Sequence, residues 1–410
     1  MRVLLLGSGG REHAIARSLS QSPRLKKLWV APGSDAMAGL AERAALDMLD
    51  ASAVTRFSAQ NHVDLLFIGP EAPLAAGVSD AVRAAGLAVF GPSQAASRLE
   101  TSKAFAKDFM ARHSIPTARA RACAGAAEAV AAARSFGGLC AVKADGLAAG
   151  KGVVVCRSLA EAETAVDTIS ATAAGKTMVV EELLTGPELT VMIITDGRAC
   201  AVLPPSRDHK RLQDGDHGPN TGGMGAIAPV PVPAETWKKI QDEILAPTLA
   251  GLAKDGLDYR GALYAGIMLT PTGPKLLEYN ARFGDPETQA VLPLLADDLL
   301  TLAADCAAGK LKGGPVALKP GACVAITLAS PGYPESPKAG TELDLAGAES
   351  LSDVLVFHAG TKRVSSGWIA TGGRVLTVVG QGPDLAQARQ KAYEAITKMK
   401  VTGLHYRRDI

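Results

Sequence analysis

The stretch KADGLAAGKGVVV, residues 143–155, sets two lysines among glycines ahead of a valine run. A glycine-rich segment carrying Lys invites a phosphate, and its architecture decides how that phosphate is held. A P-loop needs the spacing G-x-x-x-x-G-K-[ST]. Here only three residues separate Gly146 from Gly150, and Gly152 stands where the metal-binding hydroxyl belongs. Val153, Val154 and Val155 then favour a strand rather than the helix a P-loop feeds. The stretch therefore reads as a strand, a mobile Gly-rich tip and a returning strand, which makes a lid rather than a cradle. Taken alone, it is equally a plain Gly-rich hairpin with solvated lysines.

Upstream, short apolar runs alternate with helical stretches. RVLLLG (2–7), KLWVAPG (27–33), VDLLFIGP (63–70) and LAVFGP (87–92) each end at Gly or Pro, with helix candidates such as PLAAGVSDAVRAAG (73–86) between them. Strands too apolar to alternate, separated by helices, predict a parallel sheet covered on both faces. Ligands bind such sheets at the carboxyl ends of the strands. In the turn GSGGREH (7–13), Glu12 replaces the third Gly of a dinucleotide fingerprint, which argues against nicotinamide. Gly9 and Gly10 still offer backbone N–H groups to an anion. GPEAPL (69–74) puts Glu71 at another strand end, to take an amine or ribose hydroxyls or simply to suit a first helical turn. TSKAFAKDFMARHS (101–114) reads as a helix stopped by IPT (115–117). A small α+β unit follows, and KPGACVAITLASPGYP (319–334) opens a C-terminal unit with strands at 354–361 and 374–380 and a helix at 383–400. The class is α/β and α+β, multidomain.

The bulk numbers exclude several functions. At roughly 150 residues per domain, 410 residues make about two to four domains. Lys and Arg number 43 against 41 Asp and Glu, so the net charge of +2 leaves no electrostatic footprint for nucleic acid or membrane. Aromatics at 4% argue against a base-stacking platform. Six cysteines without Cys-x-x-Cys spacing suit small buried residues in a reducing cytosol. MRVLLLGSGG reads as a first strand, not a signal peptide, and no segment approaches the ~20 apolar residues of a membrane span. A cytoplasmic protein is expected.

Three further stretches carry chemistry. VVEELLTGPELTVMIITDG (179–197) reads as two strands joined by a Gly-Pro turn, with Glu181 and Glu182 costly to bury unpaired. A carboxylate there suits the amino group of an adenine whose edge is read by extended backbone, with Glu188 reaching a ribose. In LYAGIMLTPTGPKLLEYNARFGDPETQ (263–289), Glu278 and Asn280 are two apart on a strand and share a face. A carboxylate and an amide oxygen form a partial shell suited to Mg²⁺ completed by ATP phosphates. Arg282 follows, a fork of donors for a carboxylate or developing phosphoryl charge. PPSRDHKRLQDGDHGPNTGGMGAIAP (204–229) is almost devoid of apolar residues and reads as a long substrate loop folding over a ligand. His209 and His217 lack a second pair at zinc spacing, and no nucleophile motif is present.

Together these stretches resemble the ATP-grasp ligases and, among them, the phosphoribosylamine–glycine ligase family of purine biosynthesis. GSGGREHA, GPEAPL, FGPS, LETSKAFAKDF, KADGLAAGKGV, DHKR, GPNTGGMGA, LEYNARFGDPETQ and FHAGTK carry the resemblance, in order, across essentially the whole chain. It implies an ATP-grasp fold with an N-terminal parallel-sheet (pre-ATP-grasp) domain, and divides the chain at 1–101, 102–187, 188–318 and 319–410. It implies that Lys103 and Lys143 hold ATP phosphates under the lid of Gly150, Lys151 and Gly152. Glu181, Glu182 and Leu184 would read adenine, and Glu188 the ribose. Glu278 and Asn280 would bind Mg²⁺, with Mn²⁺ an alternative. Arg282, Asp208 and Lys210 would be catalytic. Gly9, Gly10, Glu71, Asn220, Thr221, Gly222, Gly223, Gly284 and Asp285 would bind glycine and 5-phosphoribosylamine. A monomer or weak dimer is expected. Arg207 stands before DHKR where relatives often carry Gln. An ATP-grasp enzyme that carboxylates or formylates a ribonucleotide would share the lid and the Glu-x-Asn pair. A catalytically silent nucleotide sensor is a further reading, against which Lys103, Lys143, Glu278, Asn280 and Arg282 count, because a sensor could drop the metal ligands and Arg282.

Overall fold

Strand Arg2–Gly7 is buried on both sides because its alternate residues enter different cores. Val3 and Leu5 pack with Ile15, Leu19 and Phe67, whereas Leu4 and Leu6 pack with Trp29, Val54 and Val82. This is why the run shows no alternation. In the computed structural model, which describes residues 1–147, 152–365 and 367–410, it is the centre of a five-stranded sheet. The order is Glu42–Arg43, Lys27–Pro32, Arg2–Gly7, Leu65–Ile68, Ala88–Phe90, parallel throughout. The helix expected over 73–86 is two, Glu71–Ala75 and Val78–Ala84, broken where Gly77 takes φ +77.

The lid unit is a separate antiparallel sheet ordered Ala120–Cys123, Met178–Glu182, Leu139–Ala144, Val153–Arg157. Its last two strands pair with Lys143 opposite Val153, so a hairpin brackets the Gly-rich segment. The tip with Gly150 and Lys151 lies outside the described residues. Met178–Glu182 and Glu188–Thr195 are not a hairpin. They belong to different sheets, and residues 183–187 bridge them. Glu188–Thr195 pairs with Gly261–Thr270, which pairs in turn with Gly273–Asn280.

The segment 204–229 is far from structureless. Arg207–Asp208 and Gly225–Ala228 join a C-terminal sheet with Ala322–Ala329, Arg374–Gly382 and Val354–His358. Between them, Arg211–Gln213 and His217–Asn220 form a hairpin. Polar composition hid the short strands, and the partner of Gly225–Ala228, Ala322–Ala329, is almost a hundred residues away. The C-terminal helix Leu385–Thr397 packs Ala388, Ala392 and Ile396 on that sheet.

Two seams hold the parts around one cleft. Phe67 and Phe90 of the first sheet stack on Phe283, next to Arg282, with centroids 6.3 and 6.1 Å away. On the other side, the His358 backbone N–H donates to His13 Nδ1 at 3.0 Å, joining helix Gly10–Ser20 to the C-terminal sheet. Burial, then the neighbouring His358 and Arg17, lowers His13 to about 3, and burial lowers His358 to about 4. Both imidazoles are neutral in the folded chain, while unfolded ones titrate near ~6.5. The unfolded state therefore binds more protons in acid, so this stabilisation is complete above that value and is lost as pH falls. The urea midpoint is expected to stay constant from about pH 8 to 7 and to drop between about pH 6.5 and 5. A flat midpoint across the lower window contradicts the neutral pair.

Candidate active site

The helix Lys103–Arg112 begins later than its sequence pattern indicates, because Ser102 caps it by accepting from the Phe105 N–H. Asp145, at the end of the Lys143 strand, accepts from Ala104 N–H at 3.1 Å and from Ser102 Oγ at 3.3 Å. This carboxylate ties helix to lid strand, so Lys103 and Lys143 face one cleft of about 1300 Å³. Lys103 Nζ donates to the Gly146 carbonyl at 3.1 Å. Lys143 Nζ lies 2.8 Å from Glu181 Oε1, and Lys107 Nζ lies 3.0 Å from Glu181 Oε2. Burial, only partly offset by Glu181, pushes Lys107 down to about 8. Glu181 is 2% exposed, and the pair of cations resolves its awkward burial. Lys107 was missed; its place one turn beyond Lys103, on the same helix face, was the available signal. Glu182 turns its carboxylate outward to Arg119 Nε at 2.6 Å, while Leu184 and Gly152 line the cleft.

Glu278 and Asn280 both border the cleft from strand Gly273–Asn280. Burial opposes ionisation of Glu278, but Lys210, Lys143, Lys103 and Arg282 outweigh it and hold the carboxyl down at about 2. Arg282 donates to Asn280 Oδ1 at 3.3 Å and pairs with Glu100 at 2.9 Å and Glu71 at 3.5 Å. Glu100, deeply buried, also accepts from the Ala281 N–H at 2.8 Å, so it orients the strand end and the guanidinium together. Glu71 is both things its sequence position allows, a first-turn helix residue and a cleft carboxylate.

One expectation fails. The Gly9 N–H is not open to an anion, because it donates to Glu12 Oε2 at 2.8 Å. Glu12, where the dinucleotide fingerprint has Gly, is buried and fills the space that a Cβ on Gly69 would need, at 2.5 Å. Gly10 packs against Gln289 and Ala359 rather than bordering the cleft. Arg11 is the residue of this turn that lines it, with NH1 donating to the Phe283 carbonyl at 3.2 Å.

The substrate loop enters from the opposite wall. Lys210 Nζ stands 3.0 Å from Glu188 and 3.5 Å from Glu278, and those carboxylates raise its pKa against the cost of burial. Burial and the nearby Glu287 raise Asp208 well above the carboxylate range. Thr221 N–H and Oγ1 both donate to the Lys210 carbonyl at 2.8 Å, and Asn220 precedes it on the hairpin. Arg374, from the C-terminal sheet, donates to the Gly222 carbonyl at 2.5 Å and pairs with Asp285 at 2.8 Å. Gly284 leaves room for Glu287, whose Oε2 lies 2.6 Å from where a Cβ would be. Glu100 and Glu287 lie inside the stretches LETSKAFAKDF and LEYNARFGDPETQ, but their partners, like that of Arg374, are set only by long-range packing.

Three family profiles then cover the chain: "Phosphoribosylglycinamide synthetase, N domain" over residues 1–100, its "ATP-grasp (A) domain" over 101–288, and its "C domain" over 323–410. The chain belongs to the phosphoribosylglycinamide synthetase family. It is 45% identical to a phosphoribosylamine–glycine ligase of Rhodopirellula baltica, over 100% of this chain and 96% of that one. A crystal structure of phosphoribosylamine–glycine ligase from Thermotoga maritima matches with TM-score 0.87 and 35% identity, covering 100% of both chains. The biotin carboxylase domain of a Hydrogenobacter thermophilus 2-oxoglutarate carboxylase, solved with ADP and its magnesium salt, matches with TM-score 0.75 at 16% identity, over 99% of this chain and 91% of that one. That likeness is one of fold, the ATP-grasp fold with a parallel-sheet domain before it.

Gly223 gives a local test of the loop. At φ +112, a Cβ there would meet Pro286 Cδ at 2.4 Å and Asp208 Oδ1 at 2.8 Å. Gly223→Ala is expected to cost about 1–3 kcal/mol in urea denaturation and to lower turnover. Wild-type stability in that variant contradicts the placement of Gly223 against Asp208.

Proposed function

We propose that the chain catalyses ATP-dependent joining of glycine to 5-phosphoribosylamine, giving glycinamide ribonucleotide, ADP and phosphate. The observation that carries this is the full-length family match laid on a cleft whose cations converge on Glu278. Glycine's carboxylate is a poor electrophile because its leaving group would be oxide. Its oxygen attacks the γ-phosphorus of ATP, ADP departs, and glycyl phosphate results. The amine of phosphoribosylamine then attacks the acyl carbon, phosphate leaves, and the amine sheds a proton. Phosphoryl transfer between anions requires charge neutralisation and in-line positioning more than a covalent nucleophile.

The residues divide this work. Lys103 and Lys143 take the phosphates beneath the lid strands, and the Glu181–Leu184 segment reads the base while Glu188 takes the ribose. Glu278 and Asn280 hold Mg²⁺, with Mn²⁺ as a substitute. A carboxylate and an amide oxygen leave coordination positions that the nucleotide's phosphates would fill. The ion, when bound, neutralises phosphate charge. Arg282, held by Glu100 and Glu71, faces the acyl phosphate, and Lys210 with Asp208 closes the site from the substrate loop. Asn220–Gly223, Gly284 and Asp285 bind the glycine and amine end. Glu71 with Arg11 supplies the side of the first sheet. Excluding water protects an intermediate that hydrolyses. Holding amine and acyl carbon together is worth ~7–11 kcal/mol in favourable cases. We further propose domain divisions at 101, 187 and 318, a monomer or weak dimer, and a cytoplasmic setting. No helix among the described residues is long and apolar enough to cross a membrane.

ADP release, with phosphoribosylamine formed in situ from ammonia and ribose 5-phosphate, is expected only when glycine is present. The product should have the mass of glycinamide ribonucleotide. Glycine-independent ADP release would discard the substrate assignment. Glu278→Gln should lower turnover at least about a hundredfold and also lower the melting point, because it leaves the surrounding cations without their carboxylate, while the chain still folds. A near-normal rate in saturating Mg²⁺ would sink the metal assignment.

A further inference from the structure

Arg407 is 1% exposed, the largest of the fully buried side chains, and none of the roles above uses it. Its NH1 donates to the Arg211 carbonyl at 3.2 Å and pairs with Asp216 at 2.6 Å, while Nε and NH2 grip Asp409 at 2.8 and 2.7 Å. The same tail touches the hairpin again. The Gly215 N–H donates to Asp409 Oδ2 and the Arg408 N–H to Asp214 Oδ1, each at 2.8 Å, and His405 Nε2 lies 2.8 Å from the Leu212 carbonyl. The tail is itself anchored, since Arg389 Nε donates to the Ile410 carbonyl at 2.6 Å and Tyr393 OH to the Arg407 carbonyl at 3.0 Å.

What the tail grips is the hairpin Arg211–Gln213 with His217–Asn220, whose ends carry Lys210 and Asn220–Gly223. Its tip is strained: Asp216 holds φ +57, a left-handed conformation that a residue with a Cβ adopts at a cost. A free hairpin would relax this, and Arg407 opposes the relaxation by fixing the Asp216 carboxylate and the Arg211 carbonyl at once. Arg211 directly follows Lys210, and both Arg211 and Asp216 border the cleft, so the grip reaches its wall.

We propose that residues 405–410 form a strap, with Arg407 as a positioning residue, that holds the 211–220 hairpin and so sets Lys210 and Asn220–Gly223 against the cleft. The inference rests on the reading of this hairpin as part of the substrate loop. Asp216 is 70% exposed, so solvent screens its pair with Arg407 and the pair adds little to global stability. Its effect is geometric. Small misplacement of positioning groups costs about a hundredfold in rate in sensitive cases.

Asp216→Asn leaves the Arg407 grip on Asp409 intact and does not endanger the fold. Arg407→Lys keeps the charge and removes the fork. Among the described residues Asp216 borders the cleft and Arg407 does not, so a shared defect assigns the effect to the strap. Both variants are expected to lose about tenfold or more in kcat/KM for glycine and for the amine. ATP affinity by calorimetry and the melting point of Asp216→Asn should be unchanged, and amide exchange across 211–220 should quicken. Kinetic constants within about twofold of wild type in both variants would overturn the strap. Equal losses in ATP affinity and in substrate KM would also overturn it, since they report general loosening. The wild-type control separates the two readings. If it shows no glycine dependence the function falls, and the exchange rates of the 211–220 amides still decide whether the strap holds the hairpin.

Discussion

A cleft carboxylate that must stay ionised governs this molecule. Glu278 keeps its charge because Lys210, Lys143, Lys103 and Arg282 surround it. Those cations come from the substrate loop, the lid strand, the helix after Ser102 and the end of the Glu278 strand itself. No single element brings them together. The cleft exists because a helix, a lid strand, the substrate loop and the end of a central strand bring these charges together, and any of these cations left unpaired there would be costly.

The same logic extends outward through carboxylates that orient cations. Glu181 lies between Lys143 and Lys107, Glu100 holds Arg282, Asp285 holds Arg374, and Asp145 fixes the helix that carries Lys103. The Glu100–Arg282 and Asp285–Arg374 pairs cross boundaries between structural units. An incoming polyphosphate thus meets cations that are already placed and does not have to order them, which is what electrostatic preorganisation means for this chemistry. The absence of a nucleophile motif agrees with a reaction in which the nucleophiles are glycine's carboxylate and the amine.

Legibility followed the range of the interaction. The parallel first sheet was readable because continuous apolar runs ending at Gly or Pro need burial on both faces, and Val3 with Leu5 opposite Leu4 with Leu6 bear that out. The strands flanking the glycine-rich tip were readable from the failed P-loop spacing and the valines. The shared face of Glu278 and Asn280 came from the two-residue period of a strand. The strands within 204–229 were invisible because most are short and polar, and the one that anchors them, Gly225–Ala228, is placed by pairing with the distant Ala322–Ala329. The Gly9 N–H looked free because nothing local shows that Glu12 folds back onto it.

What the chain alone determined was therefore most of its inventory: the strands and helices that continuous apolar runs reveal, and which acids and bases stand two or four residues apart. These are properties of neighbours, fixed by covalent geometry and by the period of each element. The tertiary structure alone decided which charges face one another. Arg374 reaches Asp285, Arg282 reaches Glu100 and Arg407 reaches Asp216 across separations of 89, 182 and 191 residues. Such pairs are set by how whole sheets pack, because burial makes an unpaired charge expensive and so selects the packing in which every charge finds a partner.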